Sequence, residues 1–275
     1  MKKFMVDTRH GPLAFRRSGA GASVLLLHGI PGSGRCWDQV AALVSGRADV
    51  LVPDLLGFGD SARPTELNIL HAVGQAEALS DALGELGVME ATVVGHDFGG
   101  PVALSLTAFR PDLIIGLGLL ATNTFRDTPI PIPLSLVTWP VVGRVMAPAL
   151  FSRASLAMML RTGSGQGTHL DRAAYLGDSR QVAAIRTLFE GSLRQLDLLY
   201  RPVEQALESW SGPTFVAWGD RDPFFSVQQG ERTAAAAGAS LILYAGAGHY
   251  LPDERPEQVA AGVLALLDTS LASAR

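Results

Sequence analysis

VVGHDFGG, residues 93–100, lies between an apolar run (ATVVGH, 91–96) and a stretch of small and apolar residues (100–109). That short run, too short for an ordinary helix and ending in glycine, reads as a buried strand, and the stretch after it as a buried helix. Asp97 therefore falls on a strand-to-helix turn of the form Gly-x-acid-x-Gly, with Gly95 and Gly99 on either side. Such a turn is sharp enough to require small neighbours. It also delivers the central side chain to a helix N-terminus, where the dipole favours an anion. Taken alone, the segment has two meanings: a nucleophile on an elbow, or a turn aspartate capping the next helix.

Working outward, SVLLLH (23–28), VLVPD (50–54) and LIIGLGLL (113–120) read as further buried strands. Helical stretches at 36–44 and 68–86 separate them. The longer one sets Leu70, Val73, Ala76, Leu79, Leu83 and Leu86 near one face, with Asn68 as its cap. Strand and helix alternating this way predict an α/β fold, a mostly parallel sheet flanked by helices. The alternation stops near residue 123. It resumes with TFVAWG (214–219), a helix at 227–237, LILYAG (241–246) and a helix at 256–267. The interval holds prolines, methionines and amphipathic pieces such as 181–200, with no clear buried strand. Three parts are expected: core over 1–122, a helical cap over 123–210, and core again over 211–275.

Composition narrows the classes. The chain has 275 residues, 22 basic against 26 acidic, and a formal net charge of −4. No basic tract is present to neutralise phosphates, so nucleic acid is not an expected partner. The uncharged stretch 128–143 carries Pro129, Pro131, Pro133 and Pro140, which would break a spanning helix, so no membrane partner is expected either. The single cysteine, Cys36, allows no intrachain disulfide; with no leader expected from residues 1–10, the expected location is cytoplasmic. No pair of histidines has metal-ligand spacing, so neither metal nor cofactor is expected. His10 and His71 read as ordinary residues and His169 as a loop residue that could line a pocket. Asp54 and Asp60 read as loop stabilisers.

Three further segments carry chemistry. HGIPGSGRCW (28–37) follows a strand and is rich in turn residues, GDRDP (219–223) ends another, and AGAGHYLPDERPE (245–257) puts His249 between the last strand and the last helix. Nucleophile, acid, histidine, each after a strand, is the chain order of α/β-hydrolases. On these four segments the whole chain resembles the α/β-hydrolase fold superfamily, and within it the aspartate-nucleophile branch of epoxide hydrolases and haloalkane or haloacetate dehalogenases. The resemblance implies Asp97 as nucleophile, Asp222 (rather than Asp220) as acid and His249 as base. It implies an oxyanion hole from the Ile30 and Phe98 N–H groups, with His28, Gly29 and Pro31 shaping the loop and His96 as a structural companion.

An aspartate is ionised near neutral pH and needs no base to attack an sp³ carbon; the histidine then activates the water that cleaves the ester. The leaving group decides between branches. Dehalogenases of this kind place tryptophan after the nucleophile and asparagine or glutamate after His-Gly, where this chain has Phe98 and Ile30. Haloacetate enzymes place arginines after the nucleophile, and none is there. Epoxide hydrolases use two cap tyrosines. Tyr200 falls near the second, with a helix-face core aromatic as the alternative reading, whereas the first position holds Trp139, with Tyr175 well after it. Trp139 could donate to an alkoxide or a halide alike. His28, Trp139 and Tyr175 are thus the expected substrate contacts. The leading expectation is hydrolysis of a small apolar epoxide, then dehalogenation. A reading of another class is a non-catalytic small-molecule binder on the same fold. The only protein partner expected is a second copy in a homodimer.

Overall fold

The computed structural model describes residues 1–129, 132–165, 168 and 170–274; His169 lies outside them. Eight strands form one sheet: β1 (Lys2–Val6), β2 (Leu13–Gly19), β3 (Ser23–Leu27), β4 (Asp49–Pro53), β5 (Ala91–His96), β6 (Ile114–Leu120), β7 (Thr214–Gly219) and β8 (Leu241–Tyr244). Their order is β1-β2-β4-β3-β5-β6-β7-β8. The six strands from β4 to β8 pair in parallel, and β1 and β2 add an antiparallel edge. Every residue of β4 and β5 is buried, because helices cover both faces of a parallel sheet and leave no wet side. The sequence pattern misses β1, whose lysines lie on the exposed edge strand, and β2, where Arg16 and Arg17 interrupt the apolar run even though Arg16 is buried.

Two helical expectations are corrected. The stretch 68–86 is two helices, Leu67–Leu70 and Ala72–Glu85, broken at His71, whose extended backbone (ψ 173°) interrupts the ladder. His71, not Asn68, caps the longer helix, its Nδ1 accepting the Val73 N–H at 3.1 Å. The last helix runs further than expected, Pro256–Ser273.

Between β6 and β7 the described residues form helices and no strand. The longest are Pro140–Leu150, Arg153–Gly163, Ser179–Leu193 and Leu196–Ser209. Polar ties bind this insertion to the sheet-bearing part: Ser33 Oγ donates to Ala174 O (2.9 Å), Gln181 Oε1 accepts the Gly59 N–H (3.1 Å), and Arg35 pairs with Asp171 (2.8 Å). Among the described residues no helix is long and apolar enough to cross a membrane. Because the core strands run parallel, the loops after β3, β5, β7 and β8 gather at one edge, under the insertion.

Candidate active site

Asp97 follows β5 with φ +52°, a left-handed conformation that only a tightly held turn imposes on a non-glycine residue. The glycines around it are required by contact. A Cβ on Gly95 would lie 2.2 Å from Gly99 O, one on Gly99 2.3 Å from Leu27 O, and one on Gly100 2.1 Å from Thr122 Oγ1. Thr122 Oγ1 in turn donates to the Asp97 carbonyl at 2.5 Å. The turn aims the carboxylate at the β3 loop, where the Ile30 N–H donates to Oδ1 at 2.6 Å.

The other carboxylate oxygen, Oδ2, lies 3.5 Å from His249 Nε2. Across the ring, His249 Nδ1 donates to Asp222 Oδ2 at 2.8 Å. Asp222 is fixed by the Phe224 and Phe225 N–H groups, both on Oδ1 (2.8 and 3.1 Å). Asp220 faces away and accepts the Gly246 N–H. Burial opposes charge on His249, but two carboxylates outweigh it and push its pKa up to about 10. Burial likewise opposes charge on Asp97, and the hydrogen bond and charge of the imidazole prevail, holding its carboxyl below the ordinary value. His96 is the opposite case: burial and the neighbouring His249 bring it down to about 4. Its Nε2 sits 2.8 Å from the His249 carbonyl, which can only accept, so a neutral His96 donates there and props the loop.

The loop has a second prop that sequence reasoning missed. Buried Glu254 accepts the Gly248 N–H (2.7 Å), the Tyr250 N–H (3.0 Å) and the Gly165 N–H of the insertion (2.9 Å). The His249 N–H itself donates to Gly163 O at 2.7 Å.

Asp97 and His249 open onto a cavity of about 190 Å³ between the sheet edge and the insertion. Its wall is mainly apolar: Ile30, Phe98, Leu188, Phe189, Phe224 and Phe225 are among its residues, and Asn123, Thr128, Ser192 and Tyr200 supply polar atoms. Burial and the Asp97 charge raise the pKa of the Tyr200 phenol, so it stays protonated and is a donor at neutral pH.

A family model for the alpha/beta hydrolase fold matches residues 22–256. The chain belongs to the alpha/beta hydrolase family. With aspartate at its elbow it falls in the aspartate branch. It is 28% identical to a haloalkane dehalogenase of Bradyrhizobium diazoefficiens over 95% of this chain and 94% of that one. It is 43% identical to epoxide hydrolase 3 of Siraitia grosvenorii over 40% of this chain and 35% of that one. Among solved structures, haloalkane dehalogenase DbeA from Bradyrhizobium elkanii superposes with a TM-score of 0.82 at 22% identity, covering 99% of each chain.

This alpha/beta hydrolase brings Asp97, Asp222, His249, Ile30, Phe98 and Tyr200 to one place, and three expected substrate contacts fall elsewhere. Trp139, at the N-terminal cap of the Pro140–Leu150 helix, is 58% exposed and does not line the cavity. Tyr175 is buried away from the cavity: its O–H donates to Asp253 and its ring packs edge-on against Tyr250 at 5.0 Å. His28 is fully buried, with Nδ1 on Gly29 O (2.9 Å) and Nε2 accepting the Leu55 N–H (2.9 Å), so it clamps two loops instead of touching substrate. Phe98 lines the cavity, and of the two N–H groups expected for the oxyanion hole the one on Asp97 Oδ1 here is that of Ile30. Asp54 is structural, accepting from Arg16 (2.9 Å), Gly34 N–H (2.7 Å) and Asp60 N–H (2.8 Å). The missed cavity residues Phe224 and Phe225 had a signal in their place directly after Asp222 and Pro223. Asn123 had none.

Proposed function

We propose that this chain is an epoxide hydrolase for small apolar substrates, working through an ester on Asp97, with residues 123–210 as its cap. The observation that carries the reading is the disposition of Asp97. One oxygen is held by the Ile30 N–H, and the other, 3.5 Å from His249 Nε2, faces a cavity lined by the neutral phenol of Tyr200.

Asp97 Oδ2 attacks an epoxide carbon in line with the C–O bond that breaks. The electron pair of that bond ends on an alkoxide, which takes the Tyr200 proton. Esterification also removes one of the two negative charges that hold the proton on His249. The imidazolium then returns a proton to the phenolate through solvent and becomes neutral. As a base, it deprotonates a water that attacks Asp97 Cγ. Negative charge builds on Oδ1, where the Ile30 N–H already points. Collapse breaks the Cγ–Oδ2 bond, the departing alkoxide takes the proton from His249, and the new Asp97 carboxylic acid gives its proton back to the imidazole. A diol leaves, and the starting charges are restored.

Single turnover of an apolar epoxide in ¹⁸O-water, followed by mass analysis of the Asp97 peptide, tests the scheme. Label is expected in that peptide; product formed without it would sink the covalent route. The similarity to a dehalogenase over nearly the whole chain favours a second reading, in which the same carboxylate displaces halide from a haloalkane. Halide release exceeding epoxide turnover would place the chain there. Tight binding of apolar ligands with neither activity would mark it as a binding protein.

A further inference from the structure

We propose that Asn123 is a positioning residue: its amide N–H holds the phenol oxygen of Tyr200, turning the phenol O–H towards the Asp97 side of the cavity. The consequence for catalysis rests on the reading of Tyr200 as proton donor above; the pairing itself does not.

Asn123 lies just beyond β6 and lines the same cavity as Tyr200, whose phenol pKa its side chain lowers. Which end of the amide faces the phenol follows from its other neighbours. The Phe125 N–H lies 3.2 Å from Oδ1, and a backbone N–H can only donate, so the atom facing it is the oxygen. Thr128 Oγ1 donates to the same oxygen at 2.5 Å, the nearer of its two acceptors, Phe125 O lying at 3.0 Å. With Oδ1 satisfied twice, the NH₂ group is the end presented to Tyr200. A phenol oxygen that accepts this N–H keeps its own proton for another partner.

The clamp is itself oriented from outside the cavity. Gln229 Nε2 donates to Thr128 Oγ1 at 3.3 Å. Gln229 cannot turn over, because its Oε1 accepts the Ser226 N–H (3.0 Å) in the capping box of helix Val227–Ala236. The direction of donation therefore runs from that helix cap through Gln229, Thr128 and Asn123 to Tyr200, with no charged group in the series. One phenol held by an amide would do the work that a pair of tyrosines does elsewhere: a neutral N–H stabilises the phenolate formed when the proton leaves.

The test uses the full chain labelled with ¹³C at tyrosine Cζ. Four tyrosines give four signals, and Tyr200→Phe identifies the one of interest. Asn123→Ala is expected to move the Tyr200 resonance at neutral pH while the other three signals stay in place. Thr128→Val, which removes the hydroxyl donor on Asn123 Oδ1, should shift the same signal in the same sense and serves if Asn123→Ala does not fold. An unchanged Tyr200 resonance in a folded variant would overturn the pairing. On an apolar epoxide, Asn123→Ala should lower kcat about tenfold with KM little changed, the effect of one neutral hydrogen bond. In the Tyr200→Phe background it should lower kcat no further, and an additive loss would overturn the positioning role. If the resonance shifts while even the wild-type chain turns over no epoxide, the pairing stands and the epoxide reading is what fails.

Discussion

The proton held on His249 should be visible in stability before any substrate is known. The perturbation is His249→Gln, which keeps an amide in the place of the ring and removes the titrating group. In the folded chain His249 is 2% exposed, and the carboxylates of Asp222 and Asp97 carry its pKa from 6.5 to about 10. Between those values the folded state binds a proton that the unfolded state has released. Unfolding free energy then falls with rising pH at about 1.4 kcal/mol per pH unit. The contribution is complete below about pH 6.5 and is lost as pH climbs to about 10, on the order of 5 kcal/mol across the window. Urea unfolding of both proteins at half-unit steps from pH 6 to 10 measures it, since the two chains differ in this one titrating residue. The wild-type curve should descend towards that of the variant as pH rises. Parallel curves would refute the placement of a shared proton between Asp222 and Asp97, and with it the idea that esterification of Asp97 turns an imidazolium into a base.

Three other substitutions separate the roles of individual residues. Tyr200→Phe should reduce epoxide turnover by about 10²-fold or more, the usual yield of a positioned proton donor, and halide release by much less; equal losses on both substrates would remove the donor role. Trp139→Ala should leave kcat/KM within about twofold, as for an ordinary exposed position, and a rise in KM well beyond this in steady-state assays would return the indole to the substrate path. Gly100→Ala should cost about 1–3 kcal/mol in urea unfolding, since its new Cβ would meet Thr122 Oγ1 at 2.1 Å; a midpoint equal to wild type would mean that the elbow is less tightly packed than these distances require.

The order of chemistry-bearing residues was legible because each sits in a turn whose composition is dictated by geometry. Gly95, Gly99 and Gly100 leave no room for a side chain, and that necessity is written in the sequence. Asp222 could be told from Asp220 only through the family pattern, and the structure gives the reason: two N–H groups of the next turn seize Asp222 and orient it. The insertion was harder to read. Its helices are apolar on the side facing the sheet and also carry exposed apolar residues such as Val141, Val145 and Met158, so composition alone did not tell inside from outside at Trp139. Tyr175 and Tyr200 are the same residue type in similar surroundings. What distinguishes them is what each meets far off in sequence, Asp253 for one and the Asp97 cavity for the other, and no local pattern encodes such a placement. Glu254 escaped for a like reason: in DERPE it looks like one more surface charge, yet it gathers three backbone N–H groups.

The bond from His249 N–H to Gly163 O has a bearing on how this scaffold diversifies. Gly248 packs so closely there that a Cβ would lie 2.2 Å from the same carbonyl, and Glu254 ties Gly165 into the same corner. The mounting of the histidine is therefore shared between the last loop of the sheet and the end of helix Arg153–Gly163. Grafting another insertion onto this sheet would exchange part of that mounting along with the wall of the cavity. Chimaeras that cross over after Gly165 keep the mounting intact, whereas those that cross over before Arg153 replace it. The first kind is expected to change which molecules fit, and the second to change how fast any of them reacts.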